Sequence, residues 1–512
     1  MTKTTSVAMT ATAEGDLRGR LLRADGQEDI CVATYRPSTG AARRTALIRI
    51  IVPPEPGERA VHGNASITGE YVLRAAAAAQ ARGEGLALCH SHPHAAGWQP
   101  MSEPDRDAES SFANLAREIT GLPLVGLTLA GRDGRWSGRH WDTGAGTQVH
   151  ATACRNVRVI GDQYAVSWND SMVPPPAVQP SHARSVSCWG QDMHADLARR
   201  SVLVVGTGSV GLEVATRLAA TGLTAIGLMD FDTVELHNLD RLIGVTATDA
   251  WLRRPKAHAV RRLLAENATA ASPALTAWEY SICEPEGFRV ALDFDLVFCC
   301  VDRPWPRAVL NTMAYSHLIP VIDGGIAIDV FPDGHGMRNA TWRSHVIRSG
   351  RPCMSCNGQL DLGAVTADRD GSLDDPAYIL GGGIHAEGGQ NVAALSIGAS
   401  SALLAQYVSF NVAPGGIGDP GPLQYLLSTH TIEHLEAEGK TDCPVEDFTA
   451  AGDSGPCLTG CHQAAEDRRR SRAPARLPLA IRVGRAVDDV AWRVRSSLAA
   501  LGQRSLARAT GR

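Results

Sequence analysis

No uninterrupted apolar run in this chain reaches the length needed to span a bilayer. Residues 1–15 are Thr- and Ala-rich, with a single Lys and no apolar stretch, which is not the pattern of a secretory signal. No excess of one charge is present either: 49 Lys and Arg stand against 54 Asp and Glu, so no global field draws the protein to nucleic acid or to an anionic membrane. These absences predict a cytoplasmic protein with no nucleic-acid or membrane partner. Its 12 cysteines are then expected to stay reduced and to act as metal ligands, nucleophiles or core residues rather than as disulfides. Cys299 and Cys300, inside the apolar run 296–301, read as core.

At 512 residues the chain is too long for one hydrophobic core, and two or three domains are expected. Strand patterns at 46–52, 86–89, 124–130 and 157–160, with an Ala-rich helix at 70–80, predict a mixed α+β domain over residues 1–170. The prolines within 171–182 favour extended, semi-rigid backbone and mark a linker. Strand and helix signals then alternate, which predicts an α/β unit over 183–440: an open, doubly wound parallel sheet with helices on both faces. Residues 441–512 contain cysteines and many arginines and read as a solvated tail carrying an amphipathic helix at 487–506, with a docking helix for a partner as the alternative.

His90 and His92 stand one residue apart at the end of a strand pattern, so both imidazoles project from one face and can reach one ion. Asp105, in the first turn of a helix that opens at Ser102, supplies a carboxylate. Three protein ligands with a fourth position left for water describe a catalytic zinc site. The set His90-Ser91-His92-Pro93, then eight residues, then Ser102-Glu103-Pro104-Asp105 resembles the signature of the JAMM metalloproteases, the JAB1/MPN/Mov34 family. The resemblance covers about the first 170 residues and implies a JAMM-like zinc peptidase acting after the C-terminus of ubiquitin-like proteins. It also implies a glutamate from an early strand as general acid/base, for which Glu28 is the best match and Glu55, Glu58 and Glu70 are rivals, and a hydrogen bond from Ser102 to the developing oxyanion.

Gly206-Thr207-Gly208-Ser209-Val210-Gly211 follows an apolar strand and opens a helix, an arrangement that lets backbone amides meet phosphates. Asp230, at the end of the next strand, suits a ribose, so a nicotinamide dehydrogenase is one reading. Asn238, Arg241 and Lys256 beyond it, with Asp302 after a further strand, suit instead a triphosphate with magnesium, attacked at its α-phosphate. This string resembles the ThiF/MoeB/E1 family of adenylating enzymes from Arg184 to about Ser409. The resemblance implies a Rossmann-like fold that binds ATP. It gives Asp230 to the ribose, Asn238, Arg241 and Lys256 to the phosphates, Asp302 to magnesium, and Arg184 as an arginine finger offered to the partner of a homodimer; Arg307 and Asn311 match the helix that follows.

Cys353 and Cys356 sit where that family often carries half of a structural zinc site, but no tidy second Cys-x-x-Cys follows. Four sulfurs are expected from Cys353, Cys356, Cys443 and one of Cys457 or Cys461. The competing role is a thioester nucleophile at Cys356 or Cys353, with Cys356 favoured, or an enzyme that stops at adenylation. The two resemblances together imply a bifunctional enzyme that adenylates a ubiquitin-like protein with ATP and Mg2+, passes it to an E2-like protein, and trims or deconjugates it with Zn2+, as in bacterial conjugation systems with a role in defence. Activation of a sulfur carrier is the alternative, and a non-catalytic scaffold that binds a ubiquitin-like partner is a third reading.

Overall fold

The computed structural model describes residues 3–62, 64–143, 148–331, 336–374, 391–435 and 442–510. The Gly-rich stretch at 380–384 lies outside the described residues. In the first half a mixed sheet is built from β1 (Thr4–Thr10), β2 (Ile30–Thr39), β3 (Arg43–Val52), β6 (Gly85–His92), β7 (Leu124–Ala130), β8 (Trp136–Thr143), β9 (Val149–Ala153), β10 (Asn156–Ile160) and β11 (Tyr164–Trp168), with β4 (Arg59–His62) and β5 (Asn64–Ile67) forming a separate ribbon. The spatial order is β11-β10-β1-β3-β2-β6-β7-β8-β9. Helices α1 (Ala11–Leu21), α2 (Gly69–Gln80) and α3 (Glu103–Thr120) cover it, packing two cores against its two faces. Cys31, Ala33 and Cys89 face one core while Val32 and Leu88 face the other, as the period of two requires of a strand buried on both sides.

The second half opens with α4 (Ala183–Trp189) and α5 (Gln191–Ala198), followed by β12 (Ser201–Val205), α6 (Ser209–Thr221), β13 (Ala225–Met229), α7 (Ala247–Trp251), α8 (Lys256–Asn267), β14 (Ala274–Trp278), α9 (Pro285–Ala291), β15 (Leu296–Cys299), α10 (Pro304–Ser316) and β16 (Val321–Val330). The order β14-β13-β12-β15-β16 is parallel throughout, with Val202 and Val204 turned to one core and Leu203 and Val205 to the other. The sequence pattern predicts a parallel sheet throughout, and this is corrected at one edge. β17 (Met337–Ile347) returns antiparallel along β16, and β18 (Leu423–Leu426) and β19 (Thr431–His434) extend that edge. After α11 (Leu362–Asp370), the apolar helix α12 (Ala393–Val412) buries Ala399, Leu403, Tyr407 and Phe410 in the same core as α6, and Ser400 Oγ donates to Val210 O.

The reading of residues 441–512 as a solvated tail is corrected. In α13 (Gln463–Arg472), Arg469 pairs with Glu284, and Arg472 pairs with Glu279 and donates to Phe231 O at 2.7 Å. In α14 (Leu479–Thr510), Asp488 takes Arg254 and Arg262, each at 2.6 Å. The arginine run reads as a charged surface in the sequence because its acidic partners Glu284 and Glu235 lie 185 and 233 residues upstream, beyond any local pattern.

The halves meet on one buried carboxylate. Asp295, just before β15, accepts from Arg43 Nη1 of β3 at 2.6 Å, from Ser201 N and Oγ at 3.0 and 2.8 Å, and from Asn156 Nδ2 at 3.4 Å, while its carbonyl accepts from the Tyr164 hydroxyl at 2.8 Å. Burial alone would raise this carboxyl, but Arg43, Arg155 and Arg158 outweigh it and hold it below the usual carboxylate range. The folded chain therefore releases this proton more readily than the unfolded one. The stabilisation is fully present above the ordinary carboxylate pKa of about 4 and is lost as pH falls below it. Asp295→Asn is expected to destabilise the protein by about 3–5 kcal/mol at pH 7, with Arg43 left buried and uncompensated, and to flatten the acid limb of stability. Urea denaturation at pH 7 and at about pH 2.5 checks this, since the loss falls below the ordinary carboxylate pKa; an unchanged midpoint at pH 7 would refute it.

Candidate functional site

Two constellations stand in the two halves. β6 ends in His90 and His92, and α3 brings Asp105 to them because Ser102 caps the helix: Ser102 Oγ accepts from Asp105 N at 3.2 Å and Asp105 Oδ2 accepts from Ser102 N at 3.1 Å. The same carboxylate meets His90 Nε2 through Oδ1 and His92 Nε2 through Oδ2, each at 3.6 Å. Burial works to raise Asp105, but the hydrogen bonds with the two histidines outweigh it and hold the carboxyl far below its usual range; the Asp105 bond in turn raises His92. The donor atoms of the three side chains lie within 4.8 Å of one another, His90 buried and the other two half-buried, and a two-imidazole, one-carboxylate set open on one side fits zinc.

Glu28 lies just ahead of β2, and the antiparallel register Ile30↔His90 carries it opposite His92, where its charge is felt. Its neighbour Asp29 is committed to Arg59 at 2.9 Å. The rivals are engaged elsewhere: Glu58 pairs with Arg74, Glu55 lies 3.6 Å from the same guanidinium, and Glu70 is in the first turn of α2. A supporting layer was not anticipated from the sequence. His90 Nε2 lies 3.3 Å from Thr128 Oγ1, which accepts from Arg139 at 2.8 Å, and Arg139 is paired with Glu109. Glu109 sits four residues after Asp105 on α3, and that spacing was the available signal.

In the second half, Gly206 turns the chain out of β12 with φ +85°, and a Cβ there would lie 2.6 Å from Cys300 O. At Gly208 a Cβ would meet nothing within 4 Å, so the N-terminus of α6 is open for a ligand to approach. A Cβ on Gly211 would fall 1.9 Å from Gly206 O, which explains the third glycine as close packing of helix on loop. Asp230 Oδ2 accepts from Thr207 N and Oγ1 at 2.8 and 2.9 Å, so the residue expected at a ribose also fixes the glycine loop. Lys256 Nζ donates to Asp232 at 3.0 Å. Burial works to lower this ammonium, but Asp230, Asp232 and Asp302 outweigh it and raise it, so Lys256 keeps its charge at the mouth of the crevice.

The remaining expected residues are placed less directly. Asn238 is buried, with Oδ1 accepting from Glu235 N at 3.0 Å; it shapes its own turn and has only its Nδ2 to offer a phosphate. Arg241 folds onto His237 O at 2.7 Å and Asp240 at 2.8 Å. Asp302 is exposed just beyond β15, and Arg184 is exposed on α4. The support from α12, through Ser396 Oγ at 2.8 Å and Asn391 Nδ2 at 2.9 Å from Ser209 Oγ, had no local sequence signal.

Cys353 Sγ lies 3.7 Å from Cys356 Sγ and 3.5 Å from Cys443 Sγ. The helix α10 holds this cluster: Asn311 Oδ1 accepts from Met354 N at 3.0 Å, and Arg307, paired with Asp323, donates to Gln359 O at 2.9 Å. The expectation that Cys457 or Cys461 completes it is corrected. Leu458 O accepts from Trp305 Nε1 and Gly460 N donates to Cys283 O, each at 2.8 Å, and these anchors leave both thiols exposed beside Thr459 and Glu466. Cys356 lies within the sulfur cluster, where a thiolate bound to a metal is not free to attack an acyl group.

Residues 181–386 match the ThiF family. The molybdopterin-synthase adenylyltransferase of Escherichia coli is 29% identical over 166 residues, covering 31% of this chain and 59% of that protein. The sulfur carrier protein adenylyltransferase of Thermus thermophilus is 29% identical over 162 residues, covering 30% of this chain and 58% of that protein. The chain thus spans less than two thirds of the length of either relative. The structure of Escherichia coli MccB aligns with a TM-score of 0.40 and 16% identity over 55% of this chain and 75% of that one. The family match and the two relatives identify residues 181–386 as a ThiF/MoeB-like adenylation domain. Gly206→Ala is expected to weaken nucleotide binding about tenfold or more, since a side chain in the left-handed region costs about 1–2 kcal/mol before the contact with Cys300 O is counted. Titration calorimetry with ATP measures this; wild-type affinity in the variant would show that the loop takes no part.

Proposed function

We propose that the ThiF/MoeB-like domain adenylates the C-terminal carboxylate of a ubiquitin-like or sulfur-carrier protein, and that the domain before it is a JAMM-type zinc peptidase that trims or deconjugates the same protein, in a cytoplasmic enzyme. The observation that carries the first part is Lys256 set among Asp230, Asp232 and Asp302 beside the open end of α6. A carboxylate oxygen of the carrier attacks the α-phosphorus of ATP, the bond to the β-phosphate breaks, and pyrophosphate leaves with its charge countered by Lys256 and Arg241. Magnesium held by Asp302 would supply further charge neutralisation. The exposure of Arg184 supports a homodimer in which it is offered to the other copy.

The peptidase reading is supported by the His90–His92–Asp105 cluster with Glu28 set across from His92. Zinc held there would supply Lewis acidity at neutral pH. Glu28 takes a proton from the attacking water and returns it to the leaving amine, and Ser102 donates to the oxygen that gains charge.

The name of the Thermus thermophilus relative favours a sulfur carrier, and the peptidase reading favours a conjugation system with an E2-like acceptor. A carrier adduct that survives denaturation and is released by excess thiol supports conjugation, while adenylate without adduct supports sulfur-carrier activation.

ATP–pyrophosphate exchange with a carrier ending in Gly-Gly is expected to fall about 10²–10³-fold in Lys256→Ala and Asp302→Ala, and undiminished exchange would sink the adenylation reading. Cleavage of a carrier fused through its C-terminus to a reporter should be abolished by chelation and by Glu28→Gln, with zinc content retained in the variant. Full cleavage by Glu28→Gln would remove the peptidase reading.

A further inference from the structure

The three-sulfur cluster has a vacant corner, and the chain itself offers a donor for it. Tetrahedral zinc with Zn–S bonds of about 2.3 Å sets its sulfurs about 3.8 Å apart. Cys353 stands 3.7 Å from Cys356 and 3.5 Å from Cys443, so two edges of such a tetrahedron are already formed. Cys353 and Cys443 are buried. The remaining described cysteines do not supply the fourth corner: no other thiol joins the group within 4.8 Å, and Cys457 and Cys461 are fixed elsewhere.

Glu446 follows Cys443 by the same offset that separates Cys353 from Cys356, in Cys443-Pro444-Val445-Glu446. The turn there is tight. Asp447 N donates to Cys443 O at 3.2 Å and Thr449 N to Glu446 O at 2.9 Å, while the backbone N–H groups of Val445 and Glu446 point at Cys443 Sγ. That turn brings the backbone of Glu446 back beside the sulfur of Cys443. Glu446 Oε1 is buried and meets no hydrogen-bond partner, a costly condition for a carboxylate oxygen unless a cation or donor is added. Tyr315, whose hydroxyl donates to Arg351 O at 2.7 Å, stands beside the same cluster. The carboxylate lies outside the tight group of sulfurs, so ligation requires it to move toward them.

We propose that Glu446 is the fourth ligand of a zinc site formed with Cys353, Cys356 and Cys443. The inference rests on the reading of those three thiols as metal ligands and replaces the fourth cysteine expected from the sequence. Three thiolates and one carboxylate leave the zinc centre with a net charge of −2, the same as four thiolates, but with one oxygen donor that binds a borderline-soft cation less tightly than sulfur. The site ties the 353–356 loop on α10 to the segment 443–454. That segment in turn grips the first half of the chain, where Thr39 Oγ1 donates to Asp453 at 2.6 Å. Loss of the metal would loosen the contact between the halves as well as the loop.

The test uses the full chain loaded with Co2+, whose thiolate charge-transfer band reports this site and not the histidine site. Cys353→Ser and Cys443→Ser should each lower the band by about a third or, where the metal is no longer held, remove it. Glu446→Cys should increase it by about a third, as expected for a fourth thiolate, and slow metal release to a chelator. Glu446→Ala should speed release about tenfold or more, with Glu446→Gln as the isosteric control. If the cysteine variants leave the band intact, the metal reading itself fails. If they lower or remove it while Glu446→Cys and Glu446→Ala match the wild type in band intensity and release rate, the three sulfurs stand as ligands and Glu446 is overturned.

Discussion

Asp295 is the constraint on which the arrangement of the two halves depends. A buried carboxylate is tolerated only when its lone pairs are taken, and here they are taken by residues from β3, β10 and β12 at once. Neighbouring groups repeat the logic: Asp293 caps the backbone N–H groups of Ala42 and Arg43 at 2.9 Å, and Gly40 is small because a Cβ there would fall 2.2 Å from that carboxylate. The stacked pair Tyr164 and Phe410, with ring centroids 5.5 Å apart, adds apolar contact between β11 and α12. Two sheets that would otherwise be joined by a proline-rich linker are thereby held in one orientation.

Within the second half, the topology places the chemistry. Strand order reverses between β12 and β15, and the glycine loop leaves β12 at that reversal, against Cys300 O at the end of β15. Lys256 arrives from α8 and is kept ionised by three carboxylates contributed by the ends of two different strands. Helix α13 and the residue before it close over the same edge, with Arg472 on Phe231 O and His462 packed edge-on against both Phe231 and Trp305 at 4.9 and 5.3 Å.

What was legible in the sequence is what local spacing encodes. His90, His92 and Asp105 were readable because a strand end, a short loop and a helix cap are each short-range signals, and their conjunction fixes a geometry. Glu28 was a weaker reading, one of four glutamates; only the register of β2 on β6 separates it from Glu55, Glu58 and Glu70. The glycine loop and the alternating strands were equally plain. The long-range pairings were not: Asp295 with Arg43 spans 252 residues and the Arg254–Asp488 pair 234, distances at which no periodicity carries information. The antiparallel return of β17 and the buttress from α12 belong to the same class, since both are decided by which surfaces are left to cover once the parallel strands have formed. The cysteines misled in the opposite direction, because proximity in sequence suggested Cys457 and Cys461 as partners for sulfurs that the fold keeps away from them.

Asp105 carries two duties with one pair of oxygens. Its Oδ2 closes the cap that starts α3 while the same group reaches both histidines. Any cation that draws the carboxylate toward the imidazoles therefore competes with the amide of Ser102 for the same lone pairs. The first turn of α3 is thereby tied to the histidine cluster, and through Glu109, Arg139 and Trp141 the same helix is tied to β7 and β8.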